Sequence, residues 1–266
     1  MPGRIFRQEM KASFGLAEAF VDRAWRVATA VELRSLMDDI CNELGFRHYA
    51  LLHHVDPLQP RPGQIFIENY PQAWAEQFVV KRLFREDPVV QACLRTNAGF
   101  LWSRIGELLQ LNAGHRVVLE SAARAGLAEG LTIPACVTGE WTGSCSLACP
   151  RGGRIRQRHL LVAQVIGVFG FQAARRIASS GALIIPQRPV LNPRQRECTV
   201  LAGQGKTDWE IAGILGLSRV TVRHYLADAR ARYDVTTRQQ LIICALLDGQ
   251  ISLCELAPRQ YVHLSG

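Results

Sequence analysis

The sequence lacks long hydrophobic runs, paired cysteines and periodic glycines, and each absence excludes a class of protein. Its longest apolar stretch, residues 160–171, contains Gln164 and is shorter than the roughly 20 residues that a helix needs to cross a bilayer. Its 22 glycines show no three-residue period, which excludes a collagen-like repeat. No apolar segment typical of a signal peptide follows the first basic residues. We therefore expect a soluble, cytoplasmic protein without a membrane partner.

The eight cysteines include no CxxC pair and are scattered over 266 residues, so neither a disulfide framework nor a zinc site is predicted. Several occupy apolar positions of periodic segments, where a buried, reduced thiol packs as a small hydrophobic side chain. The sequence also lacks a recognisable Ser/His/Asp set, a cluster of metal ligands and a glycine-rich phosphate loop. We expect a protein that is not an enzyme and that needs no cofactor.

The excess of positive charge is compatible with a nucleic-acid partner but does not locate its binding site. Of the formal net charge of +8, residues 186–266 contribute three, from ten basic and seven acidic side chains. The rest belongs to the preceding part of the chain. The length and the hydrophobic content of 48% suffice for two ordinary domains, each with its own core.

Hydrophobic periodicity predicts an α+β domain in residues 1–177. Apolar residues recur with the helical period of three to four in residues 31–44, 72–83 and 159–177. Short segments typical of strands lie at residues 48–54, 64–68, 131–137 and 144–149. Together they predict an α/β/α sandwich, an antiparallel sheet with helices on both faces. The small residues and prolines of segment 178–190 predict a linker.

Residues 191–266 are purely helical in pattern and predict an all-α, four-helix domain with a short C-terminal tail. Asn192, which a proline follows, begins one helix. Thr207 and Glu210 form a capping box for the next helix, and Ser218 caps a third. Two short helices joined by a tight turn that contains a glycine form a helix-turn-helix, whose second helix lies in the major groove of DNA.

The predicted second helix of this unit carries side chains suited to DNA. Four of them lie in its N-terminal part and are expected to reach base edges: Arg219, Thr221, Arg223 and His224. Arg230, together with Arg232 and Arg238, is expected to contact phosphates. The alternative is a plain helical bundle with a solvated basic face.

The order of short elements in this domain resembles the DNA-binding domain of LuxR-type transcriptional regulators. These elements are Pro-Arg at 193–194, Gly-Lys-Thr at 205–207, Glu-Ile-Ala at 210–212 and Ser-x-x-Thr-Val at 218–222. Two positions depart from the family pattern, since Gln195 replaces the usual Glu and Thr199 replaces the usual Leu. The resemblance implies double-stranded DNA as a partner, bound at palindromic half-sites by a homodimer. The segment 159–177 is apolar nearly all round, so it is expected to be buried or to form the dimer surface.

An aromatic stripe in the first domain predicts a small-molecule pocket. Tyr70, Trp74 and Phe78 recur every four residues and so share one helix face. Asp87 follows in an apolar neighbourhood, where a carboxylate is costly unless another group donates to it. Two predicted strands add the hydroxyl groups of Thr132 and Ser146. An aromatic-walled pocket with few polar groups is typical of a ligand site, whereas an aromatic stripe alone is more often core.

The pattern from residue 70 to residue 146 resembles the autoinducer-binding domain of quorum-sensing LuxR-type regulators, which recognise N-acyl-homoserine lactones. The resemblance implies that Trp74 donates its indole N–H to the lactone carbonyl and that Asp87 accepts from the ligand amide N–H. It also implies that Tyr70 and Ser146 donate to the acyl carbonyl, with Thr132 nearby.

Further positions of the resemblance lie on the lactone side of the pocket. Trp102 is expected to pack on the lactone ring, and Gly130 occupies the family's glycine position. Three positions depart from the family pattern. Phe78 stands where Tyr is common, Gly99 stands where Pro is usual, and Ala75 is small where some relatives carry a basic residue.

The favoured hypothesis is a lactone-sensing transcriptional regulator that binds DNA as a dimer. One alternative is a regulator that binds DNA without a lactone, its pocket filled by side chains, or that senses a different small molecule. A second alternative is an inactive heterodimer partner of a related regulator. A third is an enzyme that acts on a lactone, against which stands the lack of a catalytic set.

Overall fold

The computed structural model describes residues 2–150, 152–153, 155, 157–179 and 189–257, with side chains from residue 13 onwards and excluding residues 157 and 158. The chain divides into two compact units. Unit 1 comprises Met1–Cys136 and Trp141–Leu183, and unit 2 comprises Val137–Glu140 and Ile184–Gly266. Residues 180–188, most of the predicted linker, lie outside the described part of the chain.

Unit 1 contains six α-helices and five strands in its described residues. The helices are α1 (Pro2–Arg26), α2 (Ala30–Leu44), α3 (Gln72–Val80), α4 (Pro88–Cys93), α5 (Ala113–Arg124) and α6 (Gln157–Ala178). The strands are β1 (His48–His53), β2 (Phe66–Glu68), β3 (Phe100–Leu101), β4 (Gly130–Ala135) and β5 (Gly143–Ala148). Two short 3-10 helices add Leu83–Glu86 and Trp102–Glu107.

The five strands form one antiparallel sheet in the order β2-β1-β5-β4-β3. All six residues of the central strand β5 are buried, so both faces of the sheet are covered. Because strand side chains alternate, Cys145 and Leu147 face one layer of helices while Ser144 and Ser146 face the other. This alternation places both serine hydroxyls of β5 on the same face of the sheet.

The main hydrophobic core lies between the sheet and the layer formed by α1, α2 and α6. Thr29 and Glu32 form the capping box that begins α2, and Gly45 ends it in the left-handed conformation with φ of 78°. The buried stripe of α2 has the spacing predicted from the sequence: Leu33, Leu36, Met37, Ile40, Cys41 and Leu44. The helices α3, α4 and α5 cover the opposite face of the sheet. The predicted α/β/α sandwich is confirmed.

The helix α6 is a core element of unit 1. By length and composition alone it is apolar enough to cross a membrane, but close to half of its apolar window is buried in the protein. Small residues allow it to lie close to the sheet, since a Cβ at Gly167 would meet the Ile133 side chain at 2.7 Å. Its observed bounds agree with the predicted segment 159–177 to within two residues.

Several element boundaries differ from the predicted ones for local reasons. The helix predicted to reach residue 83 ends at Val80, because Arg82 adopts a left-handed backbone with φ of 54°. The strand predicted from residue 64 starts at Phe66, because the N–H of Ile65 donates to the imidazole of His53 instead of a neighbouring strand. The helices α1, α4 and α5 and the two-residue strand β3 were not predicted.

Unit 2 is all-α, with helices α7 (Pro193–Gly203), α8 (Asp208–Leu215), α9 (Arg219–Arg232), α10 (Arg238–Leu247) and α11 (Leu253–Leu256). Capping boxes begin four of them, at Asn192, Thr207, Thr237 and Ser252. The predicted four-helix core is present. The tail adds the short α11, which the Arg196–Glu255 ion pair of 2.5 Å joins to α7.

The described cysteines are all free thiols. Five are buried as predicted: Cys41, Cys93, Cys145, Cys149 and Cys198. The prediction of burial is wrong for Cys136 and Cys254, which are exposed, and Cys244 is half-buried. Cys136 follows the end of β4, and Cys244 and Cys254 lie on short helices, where apolar periodicity says little about which side faces solvent.

Candidate ligand cavity and DNA-binding helix

A cavity of about 360 Å³ lies against the sheet face that carries Ser144 and Ser146, beneath the layer of α3, α4 and α5. Its wall is largely aliphatic and aromatic. Six of the seven side chains predicted to bind ligand line it: Tyr70, Trp74, Phe78, Asp87, Trp102 and Ser146. A partly open apolar cavity with a few polar groups in its wall has the form of a small-molecule site.

The aromatic stripe forms one wall of the cavity. Trp74 is 6% exposed and packs on Phe78 with ring centroids 5.4 Å apart. Its indole N–H has no hydrogen-bond partner among the residues that the structure describes. Tyr70 lies just before α3, and burial raises the pKa of its phenol, although a hydrogen bond with Ser146 acts in the opposite direction. Tyr70 is therefore neutral and has a proton to donate.

Asp87 lies in the cavity wall at the N-terminus of α4. Its carboxylate caps that helix by accepting the Val89 N–H at 2.8 Å, and Pro88 occupies the first helical position. Burial raises the pKa of Asp87 to about 6, against the lowering effect of the Val89 and Val90 N–H groups. A carboxylate accepts through two oxygens, so this cap leaves capacity for another donor.

Three side chains form a hydrogen-bonded series at the sheet. The indole N–H of Trp102 donates to the hydroxyl oxygen of Thr132 at 2.8 Å. The hydroxyls of Thr132 and Ser146 lie 2.8 Å apart. Thr132 itself is fully buried and does not line the cavity, unlike the other six predicted residues. It therefore lies behind the wall and fixes the orientation of Trp102 and Ser146.

Two glycines shape the surroundings of Trp102. A Cβ at Gly130 would lie 2.7 Å from the Trp102 ring and 2.9 Å from the carbonyl of Leu147, so only glycine leaves room for the indole. Gly99 precedes the Phe-Leu-Trp segment, and its N–H donates to Gln164 of α6 at 2.8 Å. The loop that presents Trp102 is thus tied to the long helix on the other side of the sheet.

The cavity also contains polar residues that were not predicted from the sequence, among them His54 and Ser144. Ser144 precedes Ser146 by two residues on β5, so the alternation of strand side chains was a usable signal. His54 follows β1, and no local pattern indicated that its ring would lie next to Ser144, which is far away in sequence.

The helix α9 presents the predicted DNA-contacting side chains on an exposed surface. Ser218 caps it, accepting the Thr221 N–H at 3.0 Å and lying 2.8 Å from the Thr221 hydroxyl. Arg219 is exposed, and Arg223 is 66% exposed with a long ion pair of 3.9 Å to Asp208. His224 is exposed and lies 3.5 Å from Asp228. These four side chains share the N-terminal half of one helix.

The cations predicted to contact phosphates differ in their surroundings. Arg230 is half-buried, and Arg232 is exposed and donates to the Val190 carbonyl at 3.2 Å. Arg238 is 28% exposed, pairs with Asp208 at 3.2 Å and donates to the carbonyl of Lys206. It joins α10 to the start of α8, so its guanidinium is engaged within unit 2.

Comparison with known families identifies both units. The autoinducer binding domain family matches residues 29–177, more than half of the chain. The luxR family of bacterial regulatory proteins matches residues 189–245. The chain belongs to the LuxR family of autoinducer-binding regulators. Its partners are therefore a small-molecule ligand and DNA, and members of this family are transcriptional regulators, not enzymes.

Individual LuxR-type relatives match most of the chain. The transcriptional activator protein VanR of Vibrio anguillarum is 28% identical over 224 residues, which cover 83% of this chain and 91% of VanR. The quorum sensing-dependent transcriptional regulator RpaR of Rhodopseudomonas palustris is 26% identical, covering 88% of this chain and 94% of RpaR. The crystal structure of Escherichia coli SdiA covers 92% of this chain and 99% of SdiA, with 20% identity and a TM-score of 0.56. This structural likeness supports the fold.

The departures from the LuxR-type pattern in unit 2 are accommodated locally. Gln195, where Glu is usual, completes the capping box of α7 by accepting the Asn192 N–H at 3.0 Å. Thr199, where Leu is usual, is fully buried, and its hydroxyl donates to the Gln195 carbonyl at 2.7 Å. Neither substitution leaves a buried polar group without a partner.

Proposed function

We propose that the ligand of this LuxR-type regulator is an N-acyl-homoserine lactone and that the regulator binds a palindromic promoter site as a homodimer in the cytoplasm. The observation that carries the ligand class is the set of polar groups in the wall of the cavity. Trp74 offers an unpartnered indole N–H and Asp87 an acceptor oxygen, while Tyr70 and Ser146 offer hydroxyl groups. A lactone carbonyl would accept from the indole N–H, an amide N–H would donate to the carboxylate, and an acyl carbonyl would accept from the two hydroxyl groups.

The remainder of the cavity suits an acyl chain. Its wall is apolar for the most part. The hydrogen bond to Thr132 fixes the orientation of the Trp102 ring, so the ring is preorganised to pack flat against the lactone. The open volume argues against the alternative in which side chains fill the pocket.

The proposed role of α9 is to place Arg219, Thr221, Arg223 and His224 in the major groove. A homodimer would present two such helices to half-sites about one helical turn apart, roughly 34 Å. Arg230 and Arg232 would contact phosphates, while Arg238 mainly holds α10 in place. The proposed domain division is 1–177 for the sensor, 178–190 for the linker and 191–266 for the DNA-binding domain.

Calorimetric titration of the full-length protein with straight-chain lactones of increasing chain length tests the ligand class. We expect saturable binding by at least part of the series, together with a negative heat-capacity change, because apolar surface becomes buried. An open lactone ring serves as the matched control, since hydrolysis removes the ring carbonyl geometry and adds a charge. Equal binding of open and closed forms, or no binding of any chain length, would overturn the proposal.

A further inference from the structure

The cavity continues past Ser146 along the strand β5 to a second polar position. Ser144 precedes Ser146 by two residues and faces the same side of the sheet, so their hydroxyls are about 7 Å apart along the strand. Ser144 pairs in register with Leu52 of β1 and Pro134 of β4. Both serines line the cavity.

His54 completes this second position. Its backbone N–H donates to the Thr142 carbonyl at 2.7 Å, which fixes the residue beside the start of β5. Its Nε2 lies 2.9 Å from the Ser144 hydroxyl oxygen, and the ring also lines the cavity. We refer to these two side chains as the His54–Ser144 pair.

The pair has more hydrogen-bonding groups than it can satisfy internally. Burial, with a smaller effect of His53, lowers the pKa of His54 to about 4, so its ring is neutral at pH 7 and has one donor and one acceptor nitrogen. If Nε2–H donates to Ser144, the hydroxyl hydrogen and Nδ1 remain. If the hydroxyl donates to Nε2, a hydrogen on Nδ1 remains, and Nδ1 makes no hydrogen bond in the described part of the chain.

The residues around the His54–Ser144 pair provide only weak hydrogen-bond partners for its remaining donor and acceptor groups. The Ser144 hydroxyl contacts the thiol of Cys93, and a thiol is a poor hydrogen-bonding partner. Three other polar side chains of the cavity wall, those of Asp56, Gln64 and Glu68, each accept a backbone N–H near them in sequence. The His54–Ser144 pair thus stands out in an apolar wall as a polar group with unused capacity, which is costly unless a ligand uses it.

We propose that the lactone bound by this protein carries a second polar group, a hydroxyl or carbonyl oxygen on its acyl chain, which hydrogen-bonds to the His54–Ser144 pair. The inference rests on the proposed function, because it assumes that Ser146 binds the acyl carbonyl. The spacing of the two serines places this group about 7 Å from the carbonyl oxygen. Ser144 contacts the group, and His54 orients the Ser144 hydroxyl.

The test uses lactones of one chain length, either plain or with a single hydroxyl moved one carbon at a time along the chain. Calorimetric titration of the full-length wild type is expected to show a maximum in affinity at the position that matches the spacing. There the hydroxylated lactone should bind about tenfold more tightly than the plain one. A preference below about twofold at every position overturns this inference, whatever the variants do.

Variants of Ser144 and His54 test whether the preference for a hydroxylated lactone depends on the His54–Ser144 pair. In Ser144→Ala and in His54→Leu the ratio of the two affinities should fall to near one. The matched control is Leu52→Val, which changes the apolar wall next to Ser144 and should keep the ratio. A preference that survives Ser144→Ala overturns the assignment. If neither the plain nor any hydroxylated lactone binds the wild type, the proposed function fails together with this inference, whereas plain binding without a preference overturns this inference alone.

Discussion

The two units of the chain differ in how completely their hydrophobic groups are packed. Unit 2 has one continuous core cluster, formed by all five of its described helices. Unit 1 has a large cluster behind the sheet and two small ones in front of it, around Trp74 and around Ile105. The cavity of about 360 Å³ lies on this front side. Close-packed protein interiors contain few voids of this size, so the front of unit 1 lacks contacts that unit 2 already has.

The buried polar groups show the same difference. In α7 of unit 2, the Gln195 side chain accepts the N–H of the cap residue Asn192, and the Thr199 hydroxyl donates to the backbone carbonyl of Gln195. In unit 1, the indole N–H of Trp74 has no hydrogen-bond partner among the described residues, and the half-buried Asp87 carries a raised pKa. The DNA-binding unit is therefore complete by itself, whereas the front layer of the sensor gains its missing contacts and partners from a ligand. Binding to the folded state alone then stabilises unit 1 by mass action.

Among the substitutions predicted below, Asp87→Asn is expected to have the largest effect, because it weakens the ligand binding that completes unit 1. It removes the charge that strengthens the bond to the ligand amide, and lactone affinity should fall roughly 10- to 100-fold. Asn is as good a helix cap as Asp, so α4 should persist and the fold should remain. Calorimetric titration measures the affinity, and circular dichroism checks the fold. Undiminished affinity would refute the role assigned to Asp87.

The substitution Arg223→Ala tests the other unit. Loss of a base contact should weaken binding to a cognate half-site DNA by about tenfold, while lactone affinity stays the same. Fluorescence anisotropy with labelled DNA measures the effect. Arg194→Ala is the matched control, because Arg194 is an exposed arginine on α7, paired with Glu197, and its loss changes the net charge equally. Equal weakening by both variants would assign the effect to bulk charge.

The pH dependence of lactone binding is expected to follow Asp87. Its ionised form accepts the ligand amide, so affinity should rise about tenfold from pH 5 to pH 7, with proton release on binding. In the absence of ligand, the contribution of Asp87 to the free energy of unfolding changes with pH in the opposite direction. The native state binds this proton more tightly than the unfolded state, so the contribution of Asp87 to the free energy of unfolding falls between about pH 4 and pH 6.

Titrations at intermediate pH values, compared with Asp87→Asn, isolate this group. The variant should lose the pH dependence of binding over that range. A wild-type affinity that is flat between pH 5 and pH 7 would show that the charge on Asp87 does not contribute to binding.

The smallest predicted effect concerns the link between the Trp102 loop and α6. Gly99→Pro removes the N–H that donates to Gln164, and it should lower the stability of unit 1 by about 1 kcal/mol, or roughly 2 to 4 °C in melting temperature. A double-mutant cycle with Gln164→Leu measures the coupling. A Cβ at position 99 would also lie in close contact with Gln164 Oε1, so the coupling includes this contact as well as the hydrogen bond. Additive effects of the two substitutions would mean that the two positions are not coupled.

Most of the architecture and much of the site could be predicted from the sequence, because strong periodicity and helix caps are local signals. The buried stripe of α2 and the caps at Asn192, Thr207 and Ser218 are examples. The left-handed turn at Arg82 and the two-residue strand β3 depend on packing, which leaves no periodic trace. The position of Thr132 behind the wall and the meeting of His54 with Ser144 depend on strand register.

Scanning calorimetry of the full-length protein, with and without a saturating N-acyl-homoserine lactone, tests the central difference between the units most directly. A ligand at about 100 times its dissociation constant stabilises the folded state by roughly 2.7 kcal/mol. We predict that the transition of unit 1 rises by about 5 to 10 °C while the transition of unit 2 stays in place. Equal shifts of both transitions, or no shift with any chain length, would contradict a sensor that a lactone completes.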